Sequence, residues 1–517
     1  MKPVFIDFDN SSGKFLYIQL YNYLKNEIMQ GAIQSGEKLP SLRALSDQTG
    51  VSITTCSRAY GQLLVEGYVD ARPQSGYYVN DLPAGAAAVR AAGSASPGPE
   101  SRADDFKSGA YYPMDNTNDS VSNANNSVFY YDPKCFDFVK WRKCAASVMT
   151  DQQEALFSTS DPQGEYALRY EISRYLYRAR GVTASPEQIV ISAGVQQLTG
   201  HLARILTYMK IDLVNVEDPG YKPVQHIFRD RGFTINKIPV RSDGIEIERL
   251  PVNLESAVYV SPSNQFPTGS VMPAARRYSL LKWADDNGSV IIEDDYDSEL
   301  RYFGDPVPAL KSIDSSGTVV YLGSFSSTLF PAVRISYMVL PERLAAYFNA
   351  HKGDYDQTCS KIEQLTLAAF MANGYYQQGI RKIRKLYARK LSLVIKAFKE
   401  YGGDFARAEN TNSGISVRLN VRSSKTADEL CRDAIQARLH LLQFDDTERT
   451  AESAATVNTI NRCAETVSSP DPAGAAGTNE DVQVSTSLKR LILYYDQIPE
   501  DDIEPAIRNL CSMWANT

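Results

Sequence analysis

Residues 290–296 read VIIEDDY, and this stretch decides the fold of the larger part of the chain. Its first three residues are apolar and β-branched, which predicts a short buried strand. The acidic residues that follow, ending in Tyr296, then lie where that strand leaves its sheet. Ligands of open parallel sheets bind at the carboxyl ends of the strands, so this edge is a candidate site. Helix capping or exposure to solvent explains acidic residues at a strand end equally well.

Four similar strands are predicted on either side of this stretch, with helical segments between them. They span 189–191, 213–216, 258–260 and 319–322. Strands that alternate with helices predict an α/β domain whose mainly parallel sheet is covered on both faces.

Each predicted strand is followed by a loop suited to a small-molecule site. Small residues around Gly194 precede a helix, whose first amides suit a phosphate. Ser324, Ser326 and Arg334 supply hydroxyls and a guanidinium for the same purpose. Tyr221 can stack on a flat ring, although a packing role is equally consistent with a lone tyrosine. Residues 261–269 form a further, polar loop after the strand at 258–260. No single loop is specific, but five of them after successive strands are.

The first 80 residues follow a different pattern, of three short helices and a hairpin. Apolar residues recur at helical spacing from Leu16 to Ile28, and Gly31 ends that helix. A second helix spans 41–49, and Ser52 caps a third. Short β segments on either side of residues 72–76 predict a hairpin. Helix, helix-turn-helix and hairpin together make a winged helix.

The third helix of this unit carries small hydroxyl side chains on its first turn. A recognition helix enters the major groove with this end, so these side chains suit contacts with phosphates and bases. A helical domain that only binds other proteins is the alternative interpretation. The motifs G-x-K-L-P-S-x-R, G-V-S and E-G-Y…S-G make residues 16–79 resemble the GntR-type winged helix. That resemblance implies DNA contacts from Ser41, Arg43, Ser52, Thr54, Arg58 and Gly76. Ile53 departs from it, because many relatives carry a basic residue there.

Composition sets the limits of these domains. The chain has 517 residues, 43% of them hydrophobic and 22% charged, and a net charge of −7. Residues 1–80 contain seven basic and seven acidic side chains, so charge alone does not indicate a nucleic-acid partner. Scattered Cys and His residues give no metal-binding spacing. No apolar run reaches the roughly 18 residues of a membrane span and no signal peptide is present, so we expect a cytoplasmic protein.

Two stretches poor in large apolar residues divide the chain. Residues 81–107, rich in Ala, Gly, Ser and Pro, predict a flexible linker between a winged helix at 1–80 and a second domain at 108–517. Residues 447–485 have a similar composition and predict a surface insertion in the second domain.

The loops of the second domain resemble those of fold-type-I aminotransferases that use pyridoxal 5'-phosphate (PLP). Segments such as EDPGY, SPSNQFPTG and IIEDDYDSELRY carry the likeness, strongest over residues 160–341. Together with the winged helix, they make the chain resemble the MocR subfamily of GntR regulators. The resemblance implies that Asp294 pairs with the pyridine nitrogen, Tyr296 with the ring hydroxyl oxygen, and that Tyr221 stacks on the ring. It assigns the phosphate to Gly194, Val195, Gln196, Ser324, Ser326 and Arg334. Asn264 takes the place of a common histidine at the ring.

The chain departs from this pattern where catalysis needs an amine. It reads Ser326-Ser327-Thr328-Leu329, so the lysine that forms the Schiff base with PLP is replaced by Ser327. A hydroxyl can neither form that bond nor transfer protons as the amine does. Near the C-terminus, Gln497 is predicted to stand where amino-acid-sensing relatives have a carboxylate-binding arginine. Both changes argue against transamination.

Three explanations of Ser327 stay open: natural divergence with non-covalent binding of PLP or a PLP–amino-acid adduct, an engineered change, or loss of PLP binding. We hypothesise a homodimeric transcription regulator that binds double-stranded operator DNA and senses PLP or a related small molecule. A PLP-dependent aminotransferase with an accessory domain and a PLP-free dimerisation scaffold are the alternatives.

Overall fold

The computed structural model describes residues 6, 8, 15–72, 75–81, 132–302, 308–409, 414–444 and 487–515. Apart from Asp81, the predicted linker at 81–107 lies outside the described residues, and so does the predicted insertion at 447–485. Within the described part, no helix combines the length and the apolar character needed to cross a membrane.

The N-terminal unit is the predicted winged helix. Its elements are α1 (Leu16–Met29), α2 (Leu42–Thr49), α3 (Ile53–Val65), β1 (Val69–Arg72) and β2 (Gly76–Val79). The Ser41 hydroxyl accepts from the Ala44 amide at 3.2 Å and so caps α2, while Gly50 ends that helix in the left-handed region with φ 70°. Strands β1 and β2 form an antiparallel pair.

The winged helix packs on the large domain through a small contact. Its apolar core, built around Leu20, Leu24 and Leu63, continues into Ala274 and Tyr278 of the large domain. Both residues belong to one helix, α9 (Ala274–Asp286). The contact leaves Ser52, Ile53 and Thr54, at the start of α3, exposed.

The large domain is built on an eight-stranded sheet. In chain order its strands are β3 (Ile189–Ser192), β4 (Leu213–Asp218), β5 (Thr234–Arg241), β6 (Gly244–Ile245), β7 (Ala257–Val260), β8 (Val290–Asp294), β9 (Val319–Ser324) and β10 (Ser336–Val339). The spatial order is β3-β10-β9-β8-β7-β4-β5-β6. The run from β9 to β5 is parallel, whereas β10 and β6 pair antiparallel with their neighbours. The predicted α/β fold with a mainly parallel sheet is therefore confirmed.

Helices cover both faces of this sheet. In chain order they are α4 (Phe138–Asp151), α5 (Gln153–Leu156), α6 (Tyr166–Arg180), α7 (Val195–Tyr208), α8 (Lys222–Asp230), α9, α10 (Glu342–His351) and α11 (Lys361–Ala372). Strands β3, β7 and β8 are buried at every residue, as in sheets covered on both faces, whereas β5 near the edge is partly exposed. This packing leaves the strand ends and their loops as the accessible part of the sheet.

The C-terminal part of the chain forms a second, smaller layer of sheet and helices. Helix α12 (Tyr375–Tyr401) leads to an antiparallel sheet of order β11-β12-β14-β13, which packs on α13 and α14. The bounds are β11 (Ala406–Glu409), β12 (Ser416–Ser423), α13 (Ala427–Gln436), β13 (His440–Phe444), β14 (Ser487–Tyr494) and α14 (Glu500–Ala515).

A buried ion pair fastens the start of the described large domain to α12. Lys390 Nζ lies 2.6 Å from Asp132 Oδ2, and both side chains are within 1% of complete burial. The same ammonium donates to the Asp496 carbonyl at 2.5 Å. Three separate segments thus meet at one buried cation.

Candidate functional site

The carboxyl ends of the parallel strands open into a cavity of about 770 Å³. This volume lies within the range of small-molecule sites, about 300–1,000 Å³. Every residue that the sequence assigns to the cofactor lines this cavity: Gly194, Val195, Gln196, Tyr221, Asn264, Asp294, Tyr296, Ser324, Ser326 and Arg334. Ser327 lines it as well. That these residues bind PLP stays a prediction, but the structure brings all of them together.

One end of the cavity has the geometry of an anion site. Gly194 has φ 91° and precedes the first turn of α7, so the amides at that helix start are unused within the helix. The Arg334 guanidinium lies directly over this glycine: a Cβ at position 194 would come within 2.6 Å of Nη2. On the other side, the Ser324 hydroxyl accepts from the Ser326 amide at 3.3 Å and from the Ser336 hydroxyl at 3.0 Å.

Asp294 lies at the centre of the cavity floor, at the end of β8. Its Oδ2 accepts a 2.6 Å hydrogen bond from the Tyr259 hydroxyl. Burial raises the pKa of Asp294 to about 6, because a charged carboxylate is poorly solvated there. A cationic ring nitrogen beside this carboxyl would favour its charged form, which is the role that the resemblance implies.

Protonation of Asp294 makes the stability of the unliganded protein depend on pH. Because the folded state has the higher pKa, the neutral Asp294 carboxyl contributes to the free energy of unfolding. This contribution is fully present below about pH 4 and is lost as pH rises through about 6. Asp294→Asn stays neutral, so from pH 5 to 8 its free energy of unfolding should fall less than that of the wild type, by about 1–2 kcal/mol. Urea unfolding at both pH values measures the difference. Parallel pH profiles for the two proteins would contradict the raised pKa.

Aromatic side chains form the wall beside Asp294. The Tyr221 and Phe266 rings meet edge to face at 6.4 Å, and Phe266 meets Tyr296 at 6.5 Å. Tyr221 is 37% exposed and lines the cavity, so its side chain is not fully packed in the core. This exposure favours the stacking role over the packing role that the sequence left open.

Ser327 is paired with a carboxyl that the sequence did not single out. The Ser327 hydroxyl donates a hydrogen bond to Asp297, and burial raises the pKa of Asp297 to about 7 in spite of it. Asp297 itself lines the cavity and has a left-handed backbone, with φ 56°. Asp297 directly follows Tyr296 in the sequence, and this position could have marked it as a residue of the candidate site.

The C-terminal sheet supplies the outer wall, which the sequence located wrongly. Gln497 does not line the cavity; its amide donates to Asp496 Oδ2 at 2.7 Å. Strand β14 instead presents Ile492 and Tyr494, and β12 presents Arg418. Alternate residues of β14 face the cavity, at positions 492 and 494, and the strand ends at Tyr494, so Gln497 lies in the turn beyond it.

Two lysines also line the cavity, although neither is near Ser327 in sequence. They are Lys222, at the start of α8, and Lys237, on β5. Lys311 pairs with Asp314 at 2.9 Å and does not line the cavity. An amine is therefore present in the cavity wall, but not at the position that the aminotransferase pattern requires.

The predicted DNA-binding residues form a second candidate site on the winged helix. The Ser52 hydroxyl accepts from the Thr55 amide at 3.2 Å and caps α3. Thr54 and Arg58 are exposed on that helix. Ser41 and Arg43 are exposed at the start of α2, while Gly76, with φ 111°, is half-buried beside the hairpin. Ile53 is 48% exposed, so an apolar side chain stands on this surface.

Two separate parts of the chain match known families. Residues 16–79 match the family "Bacterial regulatory proteins, gntR family". Residues 127–449 match "Aminotransferase class I and II".

Relatives of similar length share both parts. The chain is 38% identical to the HTH-type transcriptional regulator YdeL of Bacillus subtilis, over 78% of this chain and 84% of the relative. It is 31% identical to the probable rhizopine catabolism regulatory protein MocR of Rhizobium meliloti, covering 78% and 81%. It is also 31% identical to the HTH-type pyridoxine biosynthesis transcriptional regulator PdxR of Corynebacterium glutamicum, covering 73% and 77%.

Solved structures support the fold of the large domain. A kynurenine aminotransferase of Pyrococcus horikoshii aligns with a TM-score of 0.57 at 22% identity, over 74% of this chain and 88% of that one. An α-aminoadipate aminotransferase of Thermus thermophilus, complexed with N-(5'-phosphopyridoxyl)-L-leucine, gives 0.58 at 22%, over 75% and 90%. These structures share the aminotransferase fold with the large domain.

Proposed function

The chain belongs to the MocR-type transcriptional regulators, in which a GntR-type winged helix precedes an aminotransferase-like domain, and we propose that its cavity senses PLP or a related small molecule without transaminating it. The protein binds operator DNA as a homodimer in the cytoplasm, where the bacterial chromosome lies. The observation that carries the proposal is the single cavity that gathers the whole predicted cofactor set around Ser327.

The residues of the cavity fit PLP as a non-covalent ligand. Arg334, Ser324 and the α7 amides provide a cradle for the phosphate, and Asp294 provides a carboxyl for a ring nitrogen. PLP bound there would supply an electron-withdrawing ring, but no amine stands at position 327 to form the bond or move the proton. What the residues of the chain do is hold and orient the ligand.

Sensing is supported by one relative in particular. The regulator PdxR, to which this chain is 31% identical, is named for pyridoxine biosynthesis. A B6 vitamer as the effector agrees with the phosphate cradle described above. Among the described residues, the lysines that line the cavity are Lys222 and Lys237, so catalysis with a cavity lysine of that part of the chain would have to use one of them.

Gly194→Ala tests the phosphate cradle. The added Cβ meets the Arg334 guanidinium, and φ 91° is unfavourable for alanine. Loss of one charged hydrogen bond is worth about 1.5–3 kcal/mol, so PLP should bind at least about tenfold more weakly. Gly200→Ala, on the same α7 helix, meets nothing closer than 3.4 Å and is the matched control. Equilibrium dialysis that finds equal PLP affinities for both variants would contradict the cradle.

DNA binding is tested by selecting duplexes from a random library with the full chain. Arg43→Ala and Arg58→Ala should weaken binding to every selected duplex and lower the slope of log K against log salt by about 1 each. Thr54→Ala should change the preferred sequence and leave the slope unchanged. Arg407→Ala, an exposed arginine of the C-terminal sheet, is the control. If both arginine variants have the same slope of log K against log salt as the wild type, the DNA-binding surface lies elsewhere.

Dimerisation is supported by apolar side chains left exposed on neighbouring helices. Val139 on α4 is 68% exposed, Phe157 after α5 is 94% exposed, and Tyr166 on α6 is 57% exposed. Large apolar side chains left exposed along one stretch of chain favour an interaction surface there. Sedimentation of the full chain should give a dimer, and a monomer at micromolar concentration would contradict this part of the proposal.

The enzyme and scaffold alternatives differ in simple measurements. A PLP-dependent aminotransferase would release keto acid from an amino donor when supplied with PLP. A PLP-free scaffold would show no rise in melting temperature with PLP, whereas a specific ligand stabilises the folded state as its concentration exceeds Kd. Our proposal predicts that PLP raises the melting temperature and that no keto acid is released.

A further inference from the structure

Helix α9 joins the two sites. The loop 261–272 lines the cavity through Asn264, Gln265 and Phe266 and then runs directly into the first turn of α9. The winged helix packs against that same first turn. One helix end therefore carries the ligand loop on one side and the DNA-binding domain on the other.

The contact on the winged-helix side is short and buried. The Ala274 amide donates to the Glu66 carbonyl at 2.7 Å, and the Tyr278 hydroxyl lies 3.6 Å from Met29 Sδ. A Cβ at Gly67 would come within 2.7 Å of Pro273, so the two backbones touch. Small movements of the first turn of α9 must therefore move the winged helix or break this contact.

Buried polar side chains hold the winged-helix side of this contact rigid. Glu66 Oε2 accepts from the Tyr21 hydroxyl at 2.6 Å and from Lys25 at 3.3 Å, while Oε1 accepts from the Gln62 amide at 2.6 Å. Glu66 is only 3% exposed. Its main chain thus meets α9 while its side chain is fixed to α1 and α3.

On the cavity side, the side chain of Arg277 binds the loop to α9. Its guanidinium donates to the carbonyls of Pro262 at 2.9 Å, Met272 at 2.9 Å and Pro308 at 2.6 Å. The Met272 amide donates to the same Pro262 carbonyl at 2.9 Å. Arg277 is 3% exposed, and its three hydrogen bonds all fix main-chain carbonyls. Burial raises the pKa of the nearby Glu293 carboxyl, and the charge of Arg277 lies close enough to lower it in part.

Resting on the proposed function, we propose that Arg277 is the positioning residue through which the ligand cavity and the winged helix are coupled. Ligand that orders the loop around Asn264 fixes the Pro262 carbonyl. Through its hydrogen bonds, Arg277 then fixes the first turn of α9, against which the winged helix packs. The neighbouring Arg276 does not take part, because it bonds to the Ile245 carbonyl and pairs with Asp243 and Glu248, away from the loop.

Hydrogen exchange of the full chain tests this coupling without ligand. In Arg277→Met, the amides of Ala274 and of residues 66–69 should exchange at least about tenfold faster than in the wild type. Arg277→Lys, which keeps the charge but cannot reach three carbonyls, should lie between the two. Arg276→Met is the matched control and should stay within about twofold of the wild type. Equal exchange in Arg277→Met, Arg277→Lys and Arg276→Met would overturn the proposal.

Hydrogen exchange measured with and without PLP tests whether the ligand acts through Arg277. In the wild type, PLP should slow exchange around Gly194 and also at residues 66–69. In Arg277→Lys, the effect at Gly194 should remain and the effect at 66–69 should be lost; if both remain, the proposal is overturned. If PLP slows exchange nowhere in the wild type, the proposed function fails, and the ligand-free comparison still decides the role of Arg277.

Discussion

Ser327→Lys is expected to convert reversible binding of PLP into covalent attachment. After incubation with PLP and dialysis, the variant should keep about one PLP per chain, with a visible absorption band, whereas the wild type should lose its PLP. Borohydride should then fix the cofactor to position 327 in the variant. Peptide mapping by mass spectrometry identifies the modified residue.

The geometry around position 327 gives the reason for this large effect. Ser327 lies between Ser326 of the proposed cradle and Asp297, and all three residues line one cavity. A lysine there replaces the serine–Asp297 hydrogen bond with an ion pair and brings an amine to the ring site. An amine can condense with the aldehyde of PLP, and a hydroxyl cannot do so stably.

Ser327→Met controls for side-chain size without an amine. It should retain no PLP after borohydride and dialysis. Attachment in the wild type at Lys222 or Lys237 would show that these cavity lysines replace the missing amine and would favour the enzyme alternative. Failure of Ser327→Lys to retain PLP, in a variant that melts like the wild type, would contradict the placement of the ring site.

Lys390→Met is expected to lower the free energy of unfolding by about 3–5 kcal/mol. The substitution leaves the Asp132 carboxylate, 1% exposed, without the ammonium 2.6 Å away. It also removes the donor to the Asp496 carbonyl. An unpaired buried charge costs far more than the loss of a surface ion pair, whose median value is about 0–1 kcal/mol.

Two further variants separate the ion pair from packing. Lys390→Met combined with Asp132→Leu removes both charges and should recover most of the lost stability. Lys396→Met changes an exposed lysine of the same helix and should be nearly neutral. Urea unfolding of the four proteins measures these differences. A double variant as unstable as Lys390→Met would show that shape, not charge, makes Lys390 necessary.

The sequence predicted the local elements well, because their signals are local. The cap at Ser52, the helix end at Gly50 and the strand that precedes Asp294 are each visible within a few residues of chain. The strand-end rule then brought the loops after five strands to one edge of the sheet. This is why residues as distant as Gly194 and Arg334 were assigned to one site from sequence.

What the sequence missed depends on contacts between distant segments. Arg418 and Ile492 reach the cavity from the C-terminal sheet, whereas Gln497, which the sequence placed there, does not line it. Lys237 lies on a strand with no loop motif, so nothing local marked it. The contact between Glu66 and Ala274 joins two domains and has no sequence signal at all. These positions require the tertiary structure.

The most direct test of the account is the affinity of the full chain for a selected duplex, measured by fluorescence anisotropy with and without saturating PLP. Coupling free energies of about 1–3 kcal/mol correspond to changes of about 5–150-fold in Kd. We expect a change of at least about fivefold in the wild type and a much smaller one in Gly194→Ala. Wild-type binding curves that superimpose with and without PLP, or no duplex bound at low salt, would contradict the account.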